Sequence, residues 1–259
     1  MKRHLAVLLL ALASVAAHAD ETPAQRNILF FGHDDRQFVP PPYPAPFAPV
    51  GQLTTKAGNL CTATLIAPDL AITAAHCFLM EPGHRDDGAW FKTGVHKDQY
   101  SARYQVLGQV FHPKFQKGTF FKNGDLYILP EASPYDMAWI KLKLVDGTAP
   151  APMKLFSGDR KALEAAIAQA GNQVTQAGYA GDHDDVLTTH RGCALSKLRR
   201  DNTILHRCDT LSGDSGSPIW LDTPTGPQLI ATQSSAPDWF KRKKIDNIGV
   251  TVLQAPPRP

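Results

Sequence analysis

Beyond its first twenty residues the chain has no apolar stretch long enough to span a bilayer, no paired Cys-x-x-Cys and no complete calcium-loop spacing. The first absence excludes a multi-pass helical membrane protein. The other two argue against a structural zinc site and an EF-hand type calcium site. Charge excess is also missing. The formal net charge is +3, and two of the 27 Lys and Arg residues, Lys2 and Arg3, lie in the leader; without them 25 basic residues face 24 acidic ones. A balance of +1 gives no electrostatic footprint for nucleic acid or a strongly acidic partner. No internal repeat is visible by eye.

Residues 1–19 are a secretory signal by composition: Lys2 and Arg3 open it, residues 5–17 are apolar, and Ala17-His18-Ala19 is a small-x-small cleavage site. The mature chain then starts at Asp20 and is secreted or periplasmic, with no stable membrane insertion after signal removal. The remaining length suits one globular enzyme or two subdomains sharing a cleft. The chain holds four cysteines, all in the exported part. An even count in an oxidising compartment reads as two disulfides, with three possible pairings.

Residues 20–27 are polar and read as loose. Residues 38–50 hold six prolines and can be neither helix nor central strand, so they read as an extended strap. Short strand-like runs follow at 60–66, 70–73, 104–111 and 139–144, with a crossover at 145–152. The best helix is 157–170, capped by Ser157 or Asp159, with Leu163, Ala166, Ile167 and Ala170 on one face and Gly171 ending it. Further strands are expected at 174–179, 204–208, 217–221, 229–233 and 248–252.

One stretch organises the rest. Residues 208–218 read CDTLSGDSGSP, with Ser215 between Asp214 and Gly216 and an apolar run after it. A serine hydroxyl is a weak nucleophile that needs a base for its proton and donors for the oxyanion it creates. Two other stretches provide candidates. Residues 70–77, LAITAAHC, run a strand into His76 and Cys77. Residues 133–142, SPYDMAWIKL, place Asp136 at the start of another strand. Asp125 and Asp146 are rival aspartates, but neither precedes an apolar strand in this way.

The order His76, Asp136, Ser215 is that of the chymotrypsin-like triad, and here the chain resembles the trypsin-like serine peptidases. The GHDDR at 32–36, CTATLI at 61–66, Gly178-Tyr179 and HRCDT at 206–210 resemble the bacterial glutamyl-endopeptidase branch, over roughly residues 30–252. The resemblance implies an all-β fold of two antiparallel six-stranded Greek-key β-barrels with the active site in the cleft between them. The first barrel would occupy 28–148 and the second 149–254, with a Pro-rich tail at 255–259.

It also implies roles. His76 is the general base, Asp136 orients it, Ser215 is the nucleophile, and the N–H groups of Gly213 and Ser215 form the oxyanion hole. Cys61 pairs with Cys77, which leaves Cys193 with Cys208. Asp214 either meets a newly exposed chain terminus, as in many relatives, or is a turn aspartate satisfied locally. Thr210, Gln233, Ala236 and Gly249 align with pocket walls, and Ser234, Ser235 and Ala236 with the strand that receives a peptide. Asp209 stands where a pocket-floor aspartate would favour Lys or Arg, though an aspartate at this spacing also occurs in the glutamyl-endopeptidase branch, where it need not face the pocket. The branch's pocket histidine is missing from residues 231–235, so glutamate specificity loses support.

The expected activity is hydrolysis of peptide bonds through an acyl-enzyme, with a protein or peptide as substrate. No cofactor and no metal are implied. His33-Asp34-Asp35 and residues 182–185 have cation-binding residue types without the spacing. The rival reading is a catalytically silent peptide-binding protein on the same fold; the intact triad argues against it. An esterase-like hydrolase would have a different triad order. Oligomeric state stays open.

Overall fold

Frequent Gly, Pro and Asp between short apolar alternations dictate short strands joined by tight turns. The computed structural model, which describes residues 22–80, 84–122 and 125–259, has this form. The expected signal peptide, residues 1–19, lies outside the described residues. The first barrel comprises β1 (Val50–Thr55), β2 (Leu60–Ala67), β3 (Leu70–Thr73), β4 (Gly88–Thr93), β5 (Ala102–Phe111) and β6 (Ala138–Gly147). It closes in the order β6-β3-β2-β1-β4-β5, all antiparallel. The second comprises β7 (Gln173–Gly178), β8 (Thr188–Leu198), β9 (Thr203–His206), β10 (Pro218–Thr223), β11 (Gly226–Ser235) and β12 (Asn247–Thr251). It follows β8-β7-β10-β11-β12-β9, and a β8–β9 pairing closes the ring. Counted from its own first strand, each barrel has the same cyclic order, 1-2-3-6-5-4. The repeat invisible in the sequence is thus present in the topology.

Three apolar clusters hold this together. One, with Leu53, Leu65, Phe91 and Tyr104, fills the first barrel. Another, with Val174, Leu195, Ile204 and Ile219, fills the second. The third glues the barrels and includes Phe47, Ile72, Trp139, Tyr179 and Trp220. Each such side chain, fully buried, contributes about 1.5–3 kcal/mol. The proline strap supplies Phe47 to this interface. Its start, Gln37–Phe38, pairs with Thr189 and Thr188 as an extra strand on β8.

Two segments depart from the sequence expectation. Residues 20–27 read as loose, yet Pro23–Leu29 forms a helix, α1. Its cause is local: Thr22 and Gln25 form a reciprocal capping box, and Pro23 is at a helix start, where its missing N–H costs nothing. Arg26 and Arg36 then pin this end of the chain to Asp182, at 3.4 and 2.7 Å. The second departure is β8, the longest strand of the second barrel, which carries too many outward polar residues to announce itself. The expected helix is present as α2 (Arg160–Gln169), capped by Asp159 and burying Leu163 and Ile167. The chain ends in one 3-10 turn, Val252–Gln254, and the Pro256 carbonyl accepts the Trp139 indole N–H at 2.7 Å.

The bridges Cys61–Cys77 and Cys193–Cys208 are both formed. Each closes a short loop, with sequence separations of 16 and 15 residues. Loop-closure entropy then gives about 3 kcal/mol each. No helix among the described residues is long and apolar enough to cross a membrane.

Candidate active site

Three turns meet at the mouth between the barrels. His76 lies in the 3-10 turn Ala75–Phe78 that ends β3. Asp136 follows the turn Ser133–Tyr135, just before β6. Ser215 lies in the connection from β9 to β10. His76 Nε2 is 2.8 Å from Ser215 Oγ, and His76 Nδ1 is 2.7 Å from Asp136 Oδ2. The backbone N–H of His76 donates to Asp136 Oδ1 at 2.8 Å, and the Ser234 hydroxyl donates to Oδ2 at 2.6 Å.

An ionised carboxylate can only accept, so Nδ1 carries the proton and Nε2 is free to accept from the serine hydroxyl. Burial works against the Asp136 charge, but the His76 ring, the Ser234 hydroxyl and the His76 N–H together hold its carboxyl below the ordinary value. Burial likewise works against protonated His76, yet the charge and hydrogen bond of Asp136 win and raise the imidazole above its ordinary value. Of the rival aspartates, Asp146 accepts from the Tyr100 hydroxyl on the surface. The side chain of Asp125 lies outside the described set.

The serine loop has two glycines with no substitute. Gly213 has φ +94°, and a Cβ there would lie 2.5 Å from the Tyr179 carbonyl. Gly216 has φ +81°, and a Cβ there would meet the Thr73 hydroxyl at 2.0 Å and the Thr62 carbonyl at 2.4 Å. Neither space nor backbone conformation admits a side chain. The N–H groups of Gly213 and Ser215 have no acceptor among the described residues. Asp214 accepts from the Leu211 N–H at 3.0 Å and the Thr210 hydroxyl at 3.1 Å, which is the local-turn alternative. Burial pushes its carboxyl up to about 6.

Thr62, part of the 61–66 motif but assigned no role there, ties this loop to the first barrel. Its N–H donates to the Ser215 carbonyl at 2.9 Å and its hydroxyl to the Gly213 carbonyl at 3.0 Å. The same hydroxyl accepts the Tyr179 N–H at 3.0 Å. Its own carbonyl is held by the Thr73 hydroxyl at 2.7 Å.

Clefts open on both sides of Ser215. On one side is a space of about 340 Å³ lined by Thr210, Gln233, Ser234, Ser235, Ala236 and, from α1, Leu29. On the other is a space of about 490 Å³ beside His76, Cys61 and Gly213.

Two expected pocket residues are not in either lining, and a third has another use. Asp209 points away: its carboxylate accepts the Asp35 N–H at 2.8 Å, and its own N–H donates to His190 Nδ1 at 3.0 Å. These contacts come from the N-terminal segment and β8, neither of which was visible in the motif. Gly249 is turned inward, where a Cβ would meet Ile204 and Ile219 at 3.0 Å. Ser234 lines the cleft, but its hydroxyl is committed to Asp136.

Gln233 lines the first cleft, and His206 fixes its orientation. His206 Nδ1 accepts from the Cys208 N–H at 3.3 Å, so its Nε2 carries the proton and donates to Gln233 Oε1 at 2.7 Å. Burial pushes the His206 imidazole down to about 3, which keeps it neutral. The Gln233 amide is thereby oriented with its NH2 group left over, and no described residue accepts from it.

Asp35, His190 and Asp209 bring three metal-ligating atoms within 4.8 Å of one another. The Asp209 carboxylate and His190 Nδ1 are engaged in the hydrogen bonds just given and the Asp35 carboxylate lies 2.7 Å from His33 Nδ1, so the group reads as the joint that fastens the N-terminal segment to the second barrel.

Comparison with known proteins adds the following. A family model described as Trypsin matches residues 39–236. No curated protein matches the sequence. A solved Glu endopeptidase in complex with MPD is similar, with TM-score 0.64 and 21% identity over 86% of this chain and 94% of that one. The protease Anisep from Arthrobacter nicotinovorans gives TM-score 0.54 and 13% identity over 83% and 93%. The thermostable serine protease AL20 from an extremophilic microorganism gives 0.51 and 17% over 80% and 92%. These likenesses are of fold.

Proposed function

The chain belongs to the trypsin family, whose members are serine endopeptidases, and from that premise we propose that His76, Asp136 and Ser215 are its catalytic triad and that it acts outside the cytoplasm. The observation that carries the reading is the unbroken line of hydrogen bonds from Asp136 through His76 to Ser215 Oγ. Ser215 Oγ attacks the scissile carbonyl while His76 Nε2 takes its proton. The carbonyl electrons move onto oxygen, where the N–H groups of Gly213 and Ser215 receive them; each such donor contributes about 2.7–4 kcal/mol. Collapse breaks the C–N bond, and the imidazolium returns its proton to the leaving amine. Water, activated by the same imidazole, then cleaves the ester. The bridged cysteines and the signal-like leader support export to the periplasm or medium.

A sulfonyl fluoride should form one stable adduct on the folded protein, located at Ser215 by peptide mass mapping. Folded protein that stays at its unmodified mass would favour the silent peptide-binding reading.

Side-chain preference follows from Gln233. The cleft lining carries no cation, and Asp209 does not face it. The free NH2 of Gln233 favours a side chain with a neutral acceptor, above all Gln, in the position before the scissile bond. Glu would have to be desolvated without a counter-charge. Arg and Lys lose the pocket-floor partner that Asp209 was expected to be. In matched peptides with Gln, Glu, Leu, Arg or Lys in that position, cleavage should be fastest after Gln. Gln233→Leu should reduce the Gln-to-Leu ratio about tenfold, the scale of one lost hydrogen bond to a neutral group. Asp209→Ser should leave the order unchanged. An Arg-first order that disappears in Asp209→Ser would restore Asp209 to the pocket.

A further inference from the structure

Behind one wall of the primary cleft lies a separate cavity of about 840 Å³. α1 and the segment 239–246 border both: Leu29, Trp239 and Phe240 face the first space, Ile28 and residues 242–246 the second. Five cationic side chains line this cavity, Arg199, Arg207, Arg242, Lys243 and Lys244, against a single carboxylate, Asp246. Asp246 is itself occupied, accepting the Ser196 hydroxyl at 2.7 Å and lying 3.7 Å from Arg207 Nε. Among the described residues, Arg242, Lys243 and Lys244 have no ion-pair partner.

Arg242 is the telling member. It is only 4% exposed, and its one hydrogen bond runs from Nη2 to Asn247 Oδ1 at 2.7 Å. Its Nε and Nη1 are buried with no partner among the described residues. Phe31 is stacked between two guanidinium groups, 4.3 Å from that of Arg242 and 4.5 Å from that of Arg207. To reach this position Phe31 adopts φ 57°, a left-handed conformation uncommon for a bulky residue. Burial lowers the Arg242 pKa to about 10, against the more distant carboxylates of Asp246 and Asp209, which raise it. The unpartnered Nε and Nη1 of Arg242 and the surplus of cations over carboxylates in the lining suit an anionic ligand.

The cavity is too large and too apolar at its edges for a simple anion. Ile28, Ile245 and Ile248 also line it, and Ile28 and Ile245 are 37% and 43% exposed. We propose that it is a second binding site, which takes a peptide segment carrying Asp or Glu side chains next to apolar ones. Carboxylates would pair with the guanidinium and ammonium groups, and aliphatic side chains would cover the isoleucines. Binding at this site stands apart from the peptidase reading. Its use as an anchor for protein substrates, felt in the primary cleft through the shared α1 and 239–246 walls, rests on that reading.

The test measures binding alone, on the full chain carrying Ser215→Ala. The probes are a capped, dye-labelled peptide alternating Glu and Leu, and its twin with Gln for Glu, followed by fluorescence anisotropy. The acidic peptide should bind at least tenfold more tightly than its twin. Its affinity should fall about tenfold or more when the exposed residues Arg207, Lys243 and Lys244 are all changed to Ala, with the fold checked by circular dichroism. Equal binding of the two peptides would overturn the proposal, as would undiminished binding by the triple variant. Displacement by a short uncharged peptide would place the ligand in the primary cleft instead. Displacement by low-millimolar inorganic phosphate would reduce the cavity to a simple anion site. Capture of the protein by phosphatidylserine vesicles, with no binding of the peptide, would make the surface a lipid one.

Discussion

Ser215→Ala is expected to lower kcat for a good peptide substrate by about a millionfold, with KM little changed. The group removed is the hydroxyl that, in the proposed mechanism, forms the covalent bond. What stays is the cleft, the two free N–H groups of the serine loop and the His76–Asp136 pair, so the variant should still bind peptide. The fold should be untouched, because the side chain hydrogen-bonds only to His76 Nε2 and its backbone contacts to Thr62 remain. His76→Ala should cost about as much, and the double variant no more than either single one, since the two residues act as one unit. The measurement is steady-state hydrolysis with enzyme purified free of host peptidases, normalised by active-site titration of the parent. A loss below about a thousandfold would put the nucleophile elsewhere.

Asp136→Asn is expected to lower kcat about ten-thousandfold while leaving the molecule folded. Three donors converge on this carboxylate: the His76 N–H, the His76 ring and the Ser234 hydroxyl. An amide offers one accepting oxygen in place of two. Its NH2 group would turn the His76 ring to the tautomer with the proton on Nε2, which cannot accept from Ser215. The pH profile separates this cause from a general disturbance. Asp136 raises the His76 pKa, so in the parent the acid limb of kcat/KM should fall with a midpoint above the ordinary imidazole value of about 6.5. Without the aspartate charge the imidazolium loses its partner, and the midpoint should move to lower pH. An acid limb that stays in place in the variant would mean that another group controls it.

The parts of this site legible in the sequence share a property. His76, Asp136 and Ser215 each stand at the end of a strongly patterned strand or in a glycine-marked turn, so chemistry and local structure announce the same place. Direction is different. Whether Asp209 faces the pocket depends on the pleat of its segment and on Asp35 and His190, which come from distant parts of the chain. Its spacing from Ser215 holds no information on either. The Gln233 donor was hidden for the same reason, since its orientation is fixed by His206 two strands away, across β12. β8 was illegible because a barrel strand with a wet outer face and a short buried face breaks the apolar alternation. α1, in contrast, had a readable signal in the Thr22 and Gln25 spacing, which a composition-based reading of a polar N-terminal stretch passes over. The two barrels' matching topology was legible only through the family resemblance and not as an internal repeat, because topology is shared while side chains are not.

Cys61 and Thr62 are neighbours on β2, yet one is bonded to the turn holding His76 and the other to the loop holding Ser215. Two adjacent residues thus tie His76 and Ser215 to one strand, even though those groups belong to different halves of the molecule. If the halves move against each other, Cys61 and Thr62 keep the His76 turn and the Ser215 loop tied to the same strand. Motions that admit and release long chains need not disturb the geometry on which each turnover depends.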